Sequence, residues 1–127
     1  MKFVLLILFS TFSFISSFSQ NPLIENKKWE LEKFRDSKSR RMIFVDEYHY
    51  LEFRERRVRY SIDCNKCSSP YEFVTKDTIL FEGPPMCTRK GCLEKDEFQI
   101  TFDGQYKIWQ KGMYLVIQKD KEVYYYK

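Results

Sequence analysis

Four cysteines in two tight clusters constrain the fold of this 127-residue chain more than any other feature. Cys64 and Cys67 form a C-x2-C pair, whereas Cys87 and Cys92 are separated by four residues. Three kinds of chemistry use such clusters: a tetrahedral zinc site, a redox-active dithiol, or a pair of structural disulfides. The choice depends on the compartment in which the chain folds, because disulfides persist in oxidising environments.

The N-terminal segment predicts that compartment. Lys2 precedes a short apolar run, and a stretch rich in Ser and Phe follows. A positive start, a short apolar run and small residues near its end are typical of a secretory signal peptide. Polar residues interrupt the run from Ser10 onward, so it is shorter than the ~20 apolar residues of a spanning helix. We therefore expect residues 1–19 to be a cleaved signal peptide.

Residues 20–127 are then expected to form one soluble domain, exported to the periplasm or the outside of the cell. No linker rich in Gly, Ser or Pro divides this part of the chain, and no internal repeat is visible. No cysteine precedes Cys64, so no acceptor for a lipid anchor lies near the expected cleavage site.

Export favours two structural disulfides over the other uses of the cysteines. The spacing of the second cluster departs from the usual C-x2-C half of a zinc site. The first cluster follows a strand pattern and has no βαβ context, which a redox-active dithiol of the thioredoxin type would have. Four cysteines allow three connectivities. If the clusters face each other in antiparallel sense, Cys64 pairs with Cys92 and Cys67 with Cys87.

Short alternations of apolar and polar residues predict β-strands along most of the chain. Such segments are 29–32, 42–45, 49–53, 58–62, 71–74 and 78–81. The last third predicts a three-stranded meander over 106–109, 113–118 and 122–126, with turns near 111–112 and 119–121. Only 93–102 favours a short helix, since it begins with helix formers and places Leu93, Phe98 and Phe102 near one face. The predicted fold is α+β, mostly β.

The order of several motifs resembles the META domain, also called the HslJ-like family, over about residues 27–127. The positions that carry the resemblance are Trp29-x-Leu31, Leu51-x-Phe53, Cys64-Asn65, Tyr71, and Met86-Cys87-Thr88 followed by Cys92. Two positions depart from the family pattern: Asp63 stands where glycine is preferred, and Ser69-Pro70 replaces a Ser-Gly step.

The resemblance implies a twisted, barrel-like antiparallel sheet packed on one short helix. Members of the family are exported or envelope proteins linked to heat shock, drug resistance and motility or virulence. The resemblance implies no catalytic residues, so none is transferred to this chain.

The densest basic stretch is a candidate patch for an anionic partner such as lipopolysaccharide or phospholipid head groups. It consists of Arg54, Arg56, Arg57 and Arg59. A charge run is more often a solvated strand or turn, and Glu52 and Glu55 partly neutralise this one. We favour the solvated interpretation.

Other conspicuous side chains favour structural roles. Trp29 and Trp109 are predicted to be core anchors. In the Tyr124-Tyr125-Tyr126 run, strand alternation points the middle tyrosine away from its neighbours. His49 is the single histidine, and we expect a surface or sheet-pairing role, since catalytic partners are not evident.

Composition excludes several function classes. A net charge of +4 is too small for a dedicated nucleic-acid binder, and four glycines leave little room for a phosphate-binding loop. We predict a non-enzymatic, monomeric META/HslJ-like domain with no metal, cofactor, nucleic-acid partner or membrane span. Its expected role is structural or interactive, with an unknown protein or envelope partner, in envelope maintenance or stress tolerance. The alternative is a lipocalin-like barrel that holds a small apolar ligand.

Overall fold

The computed structural model describes residues 23–127, so the predicted signal peptide lies outside the described residues. This part of the chain forms ten β-strands. In chain order they are β1 Lys28–Arg35, β2 Met42–Phe44, β3 Tyr50–Arg54, β4 Arg57–Ile62, β5 Asn65–Thr75, β6 Thr78–Phe81, β7 Met86–Cys87, β8 Gly104–Lys111, β9 Tyr114–Lys119 and β10 Glu122–Tyr126. The prediction of a mostly β fold is confirmed.

Eight of these strands close into an antiparallel barrel. Their order is β10-β9-β8-β6-β5-β4-β3-β1, and β1 pairs with β10 to complete the circle. The two short strands are additions: β2 extends β1 beyond β3, and β7 pairs with β5. Closure gives each barrel strand a partner on both sides and so removes the exposed edges of an open sheet.

Tight turns set the register of the hairpins. Glu55 and Arg56 connect β3 to β4 with φ values of 52° and 59°. Positive φ at both central residues is typical of the two-residue hairpin turns that suit the twist of antiparallel strands. Gly112 and Asp120 adopt φ values of 59° and 54° in the β8–β9 and β9–β10 turns. The predicted three-stranded meander is therefore confirmed.

Aromatic rings fill the interior of the barrel. Phe102 lies at their centre, with ring centroids 5.1 Å from Phe81, 5.2 Å from Tyr60 and 5.7 Å from Tyr106. Alternate residues of the strands supply most of these rings, because successive side chains of a strand point to opposite faces. Fully burying one large apolar side chain contributes about 1.5–3 kcal/mol, so this cluster is a principal source of stability.

Strand direction defines two ends of the barrel. At the cap end, the chain between β7 and β8 crosses the barrel mouth; residues 88–103 are called the cap below. At the hairpin end lie the β3–β4, β5–β6 and β8–β9 turns, together with the segment that precedes β1. The two ends are therefore closed by different kinds of structure.

The predicted helix over 93–102 is wrong, and the described residues contain no helix, hence none that could cross a membrane. The cap follows an irregular extended path in which Ile100 and Phe102 are buried and Phe98 is half-buried. The residues between them face solvent, and Leu93 is fully exposed. Because the segment is extended, every second side chain (Phe98, Ile100 and Phe102) lies at the barrel mouth. Ile100 is β-branched, which disfavours a helix.

Candidate functional site

All four cysteines are oxidised, so the predicted disulfides are confirmed. Cys64 is bonded to Cys92 with a Cα–Cα distance of 5.7 Å, and Cys67 is bonded to Cys87 at 4.1 Å. This pairing is the one expected for clusters that face each other in antiparallel sense. The structure contains no free thiol for a zinc thiolate site or a dithiol, since the four cysteines of the sequence all lie among the described residues.

A polar network joins the cap to the β4–β5 turn next to the first disulfide. The backbone N–H of Asp63 donates to Asp96 Oδ2, and the N–H of Asp96 donates to Asp63 Oδ1, each at 2.6 Å. Gln99 Nε2 also donates to Asp63 Oδ2 at 3.2 Å. Asp63 has a φ of 53°, a conformation that glycine adopts most easily. Here the side chain of Asp63 holds the cap in place.

His49 is buried at the cap end, with 4% of its surface exposed. Its carbonyl, directly before β3, accepts a hydrogen bond from the backbone N–H of Leu31 at 2.8 Å, so its backbone is paired with β1, whereas the alternative of a surface position is wrong. Its imidazole Nε2 lies 3.0 Å from Glu47 Oε2. The other oxygen of Glu47 accepts the backbone N–H of Glu97 at 2.7 Å. That hydrogen bond, followed by the contact with His49, lowers the pKa of the Glu47 carboxyl.

Asp96 completes a cluster of possible metal ligands. One ligand atom each of Glu47, His49 and Asp96 lies within 4.8 Å of the other two. No pattern in the sequence reveals this cluster, because Asp96 lies 47 residues beyond His49, and neither acidic stretch shows the ligand spacing of a calcium loop. Only the closure of the cap over the barrel mouth brings these residues together.

The four arginines of the basic stretch lie on the β3–β4 hairpin. Arg54, Arg56 and Arg59 are exposed, whereas Arg57 is half-buried and donates from Nη2 to Ser68 Oγ at 3.1 Å. Oε1 of Glu52 lies 4.0 Å from Nη1 of Arg54, and Glu52 is also the cross-strand partner of Arg59. Charge on this hairpin is thus partly balanced, as expected of a solvated strand and turn.

A different surface combines aromatic side chains with positive charge, and it is called the aromatic face below. Strand register aligns five residues across the outside of the barrel from β8 to β2. They are Trp109, Val116, Tyr125, Lys33 and Phe44, of which Val116 is fully buried. The prediction that Trp109 is a core anchor is wrong, since 37% of it is exposed on this outer face. Trp29 is buried as predicted.

Lys33 lies at the centre of the aromatic face. Its Nζ atom is 4.9 Å from the ring centroid of Tyr114, 5.4 Å from that of Tyr125 and 5.9 Å from that of Phe44. Contacts of an ammonium group with aromatic rings at such distances are attractive, by about 0.5–1 kcal/mol each at exposed sites. Tyr125 points outward, opposite to Tyr124 and Tyr126, as strand alternation predicts.

A groove of about 470 Å³ adjoins the aromatic face at Lys33 and Tyr125. The charged residues that line it are all basic: Lys33, Arg35 and Lys111. The nearby carboxylate of Glu32 accepts a hydrogen bond from the Tyr114 hydroxyl, which raises the pKa of that hydroxyl. Phe44 and Met113 border this region and are 69% and 62% exposed. The groove therefore offers apolar surface and positive charge together.

Comparison of the chain with models of protein families, with curated proteins and with solved structures gives no match.

Proposed function

We propose that this protein is a non-enzymatic, exported interaction domain of META/HslJ type, which serves envelope maintenance or stress tolerance by binding a protein partner on its aromatic face. The observation that carries the proposal is the row of outward-facing aromatic side chains around Lys33. Clusters of large exposed apolar side chains are uncommon on monomeric proteins and mark interaction sites. Aromatic residues and arginine are also the groups enriched where proteins bind each other.

The interior of the barrel supports an interaction role rather than the lipocalin-like alternative. A lipocalin-like protein needs an apolar cavity that surrounds its ligand. Here the centre of the barrel is occupied by the rings of Tyr60, Phe81, Phe102 and Tyr106, whose neighbouring centroids lie 5.1–5.7 Å apart. A ligand could enter only if this cluster were displaced.

Charge specifies the chemistry of the partner. Lys33, Arg35 and Lys111 line the groove together with apolar and aromatic side chains, and the nearby Glu32 carboxylate is engaged by Tyr114. An acidic polypeptide segment that carries apolar side chains complements both properties. Its carboxylates would approach Lys33 and Arg35, and its apolar groups would cover Phe44 and Met113.

The basic hairpin is the less favourable docking surface. Arg57 is engaged by Ser68, and Glu52 lies beside Arg54 and opposite Arg59. These contacts offset part of its charge, and the hairpin lacks the outward aromatic row of the other surface. It therefore serves as an internal control for non-specific attraction of anions.

The test uses two synthetic peptides, one that alternates Glu with Phe and one with Lys in place of each Glu. Binding to the oxidised protein is followed in a titration calorimeter. The Glu peptide should bind and the Lys peptide should not. Lys33→Gln combined with Phe44→Ser should weaken binding at least tenfold, whereas the combined Arg56→Ser, Arg57→Ser and Arg59→Ser variant should bind normally.

Two results would overturn this function. Equal binding of both peptides would show that the face does not select acidic partners. Stoichiometric binding of a fatty acid that survives the Lys33 and Phe44 substitutions would instead establish the lipocalin-like alternative.

A further inference from the structure

We propose that Glu47, His49 and Asp96 form a binding site for a divalent transition metal ion, of which zinc fits the donor set best. The three side chains come from two parts of the chain that meet at the cap end. Glu47 and His49 lie in the connection between β2 and β3, and Asp96 lies in the cap. This site is separate from the aromatic face, and the inference does not depend on the proposed function.

The spacing of the donor atoms suits a tetrahedral ion. Two ligands that are each about 2.0–2.2 Å from zinc, at the tetrahedral angle, lie about 3.3–3.6 Å apart. Glu47 Oε2 and His49 Nε2 are 3.0 Å apart, and the Asp96 ligand atom lies within 4.8 Å of both. A small movement of the Asp96 carboxylate would complete three protein ligands and leave one position for water or another ligand.

The kind of donors selects the class of metal. Zinc accepts imidazole nitrogen and carboxylate oxygen as ligands, and imidazole also suits neighbouring transition metals. Calcium takes six to eight oxygen ligands, and magnesium requires six in near-octahedral geometry, so a site with one nitrogen and two carboxylates suits neither. The imidazole of His49 is buried, so water does not compete freely for its ring nitrogen.

Neighbouring groups hold the two carboxylates in position. The backbone N–H of Glu97 binds Glu47 Oε1, which leaves Oε2 directed at His49. The Asp96 carboxylate accepts the backbone N–H of Asp63 at 2.6 Å. Such contacts around the ligands fix their orientation and are a regular feature of metal sites.

Electrostatics favours a cation at this point. The ligand oxygens of the Glu47 and Asp96 carboxylates lie within 4.8 Å of each other, beside the buried His49, at the mouth of the barrel. A divalent ion would neutralise both and join the β2–β3 connection to the cap. Metal affinity should then depend on the Cys64–Cys92 disulfide, because this bond anchors the cap four residues before Asp96.

The test titrates the oxidised, metal-free protein with zinc ions alone in a calorimeter. One zinc ion should bind per chain, and His49→Ala or Asp96→Asn should weaken binding at least tenfold. Glu94→Gln, which removes the charge of an exposed carboxylate in the same cap, should leave zinc binding unchanged. Breaking the disulfide with Cys64→Ser and Cys92→Ser should also weaken it.

A second measurement separates binding from a folding defect. Bound cobalt should show the visible spectrum of a four-coordinate site in the wild type, and this spectrum should be lost in Glu47→Gln, which retains the size of the side chain. Absence of stoichiometric zinc binding, or equal affinity in the wild type and Asp96→Asn, would overturn the site. Binding of the acidic peptide should be the same in Asp96→Asn as in the wild type, so failure here leaves the aromatic face intact.

Discussion

The two ends of the barrel are closed in different ways. At the cap end, sixteen residues outside the regular strands cross the mouth and are held by the Cys64–Cys92 disulfide and the paired contacts of Asp63 with Asp96. At the hairpin end, short turns join the strands, and Ile24 is buried, with its carbonyl accepting the indole N–H of Trp29 at 3.3 Å. Apart from the burial of Ile100 and Phe102, the cap is held by covalent and polar contacts, whereas apolar burial dominates the other end.

This difference follows from what each segment contributes to the core. The cap is mostly polar and buries only Ile100 and Phe102, too few apolar groups to fix a long irregular segment. At the hairpin end the strands are joined directly by short turns, so no long segment has to be held in place. Three buried polar atoms at this end lack a hydrogen-bond partner: Glu25 Oε1, Ser69 Oγ and Tyr71 Oη. Specific polar contacts are therefore concentrated where the chain lacks regular pairing, and polar burial is tolerated where apolar packing is dense.

The largest expected effect comes from removing the ring that joins the cap to the core. Phe102→Ala should lower the free energy of unfolding by about 3–5 kcal/mol, since it leaves a cavity among four other rings. Urea denaturation measures the loss. Leu93→Ala, in the exposed part of the same cap, should change stability by less than about 0.5 kcal/mol. Similar effects of the two substitutions would show that the cap is not part of the core.

The next effect concerns the disulfide at the cap end. Replacing Cys64 and Cys92 by serine should cost about 2–3 kcal/mol, because with the Cys67–Cys87 bond in place this bond closes a loop of about ten residues in the unfolded chain. Hydrogen exchange should become faster in the cap, while the β8–β9 and β3–β4 turns keep their protection. Equal acceleration at both ends would mean that the bond stabilises the barrel as a whole and does not act on the cap.

A smaller loss is expected at Asp63. Asp63→Ala leaves the backbone N–H of Asp96 without its acceptor and should cost about 1–3 kcal/mol. Asp63→Asn keeps one carbonyl oxygen in the same place and should cost less. Thermal unfolding compares the two variants. If asparagine were as damaging as alanine, the charge of Asp63 would matter more than its hydrogen bond to the cap.

The smallest effect tests the hairpin end. Burial raises the pKa of the Glu25 carboxyl, so the folded protein binds this proton more tightly than the unfolded chain does. The stability from this group is present below the ordinary pKa and is lost as the pH rises through the raised value. Glu25→Gln should therefore stabilise the protein at pH 7, by less than about 0.5 kcal/mol because the carboxyl is partly solvated. The gain should vanish at pH 4, and a variant that is less stable than the wild type at pH 7 would contradict the assignment.

The strands could be predicted because their signals are local. The turns at 112–113 and 120–121 and the inward positions of Tyr124 and Tyr126 follow from alternation within a few residues. The cap could not be predicted in this way. Helix formers at its start suggested a helix, but the disulfide at Cys92 and the contacts of Asp96 with Asp63 hold it extended.

The candidate sites were less accessible to sequence reasoning than the fold. The alternation of residues around Trp109 correctly predicts a strand, yet alternation alone does not say which face of the strand packs in the core. Barrel closure through β1 and β10 determined that Trp109 joins Tyr125 and Lys33 on the outside. The cluster of Glu47, His49 and Asp96 depends likewise on the path of the cap.

By itself, the sequence determined that the chain is rich in β-strands, where most of its turns lie and that its cysteines can form disulfides in an oxidising compartment. These properties depend on the alternation, turn chemistry and redox behaviour of neighbouring residues. Tertiary structure alone decided that the strands close into a barrel filled with rings, that the cap is extended, and that Lys33 and His49 lie at the centres of two separate clusters. Such arrangements depend on contacts between residues far apart in the chain, and no local pattern encodes them.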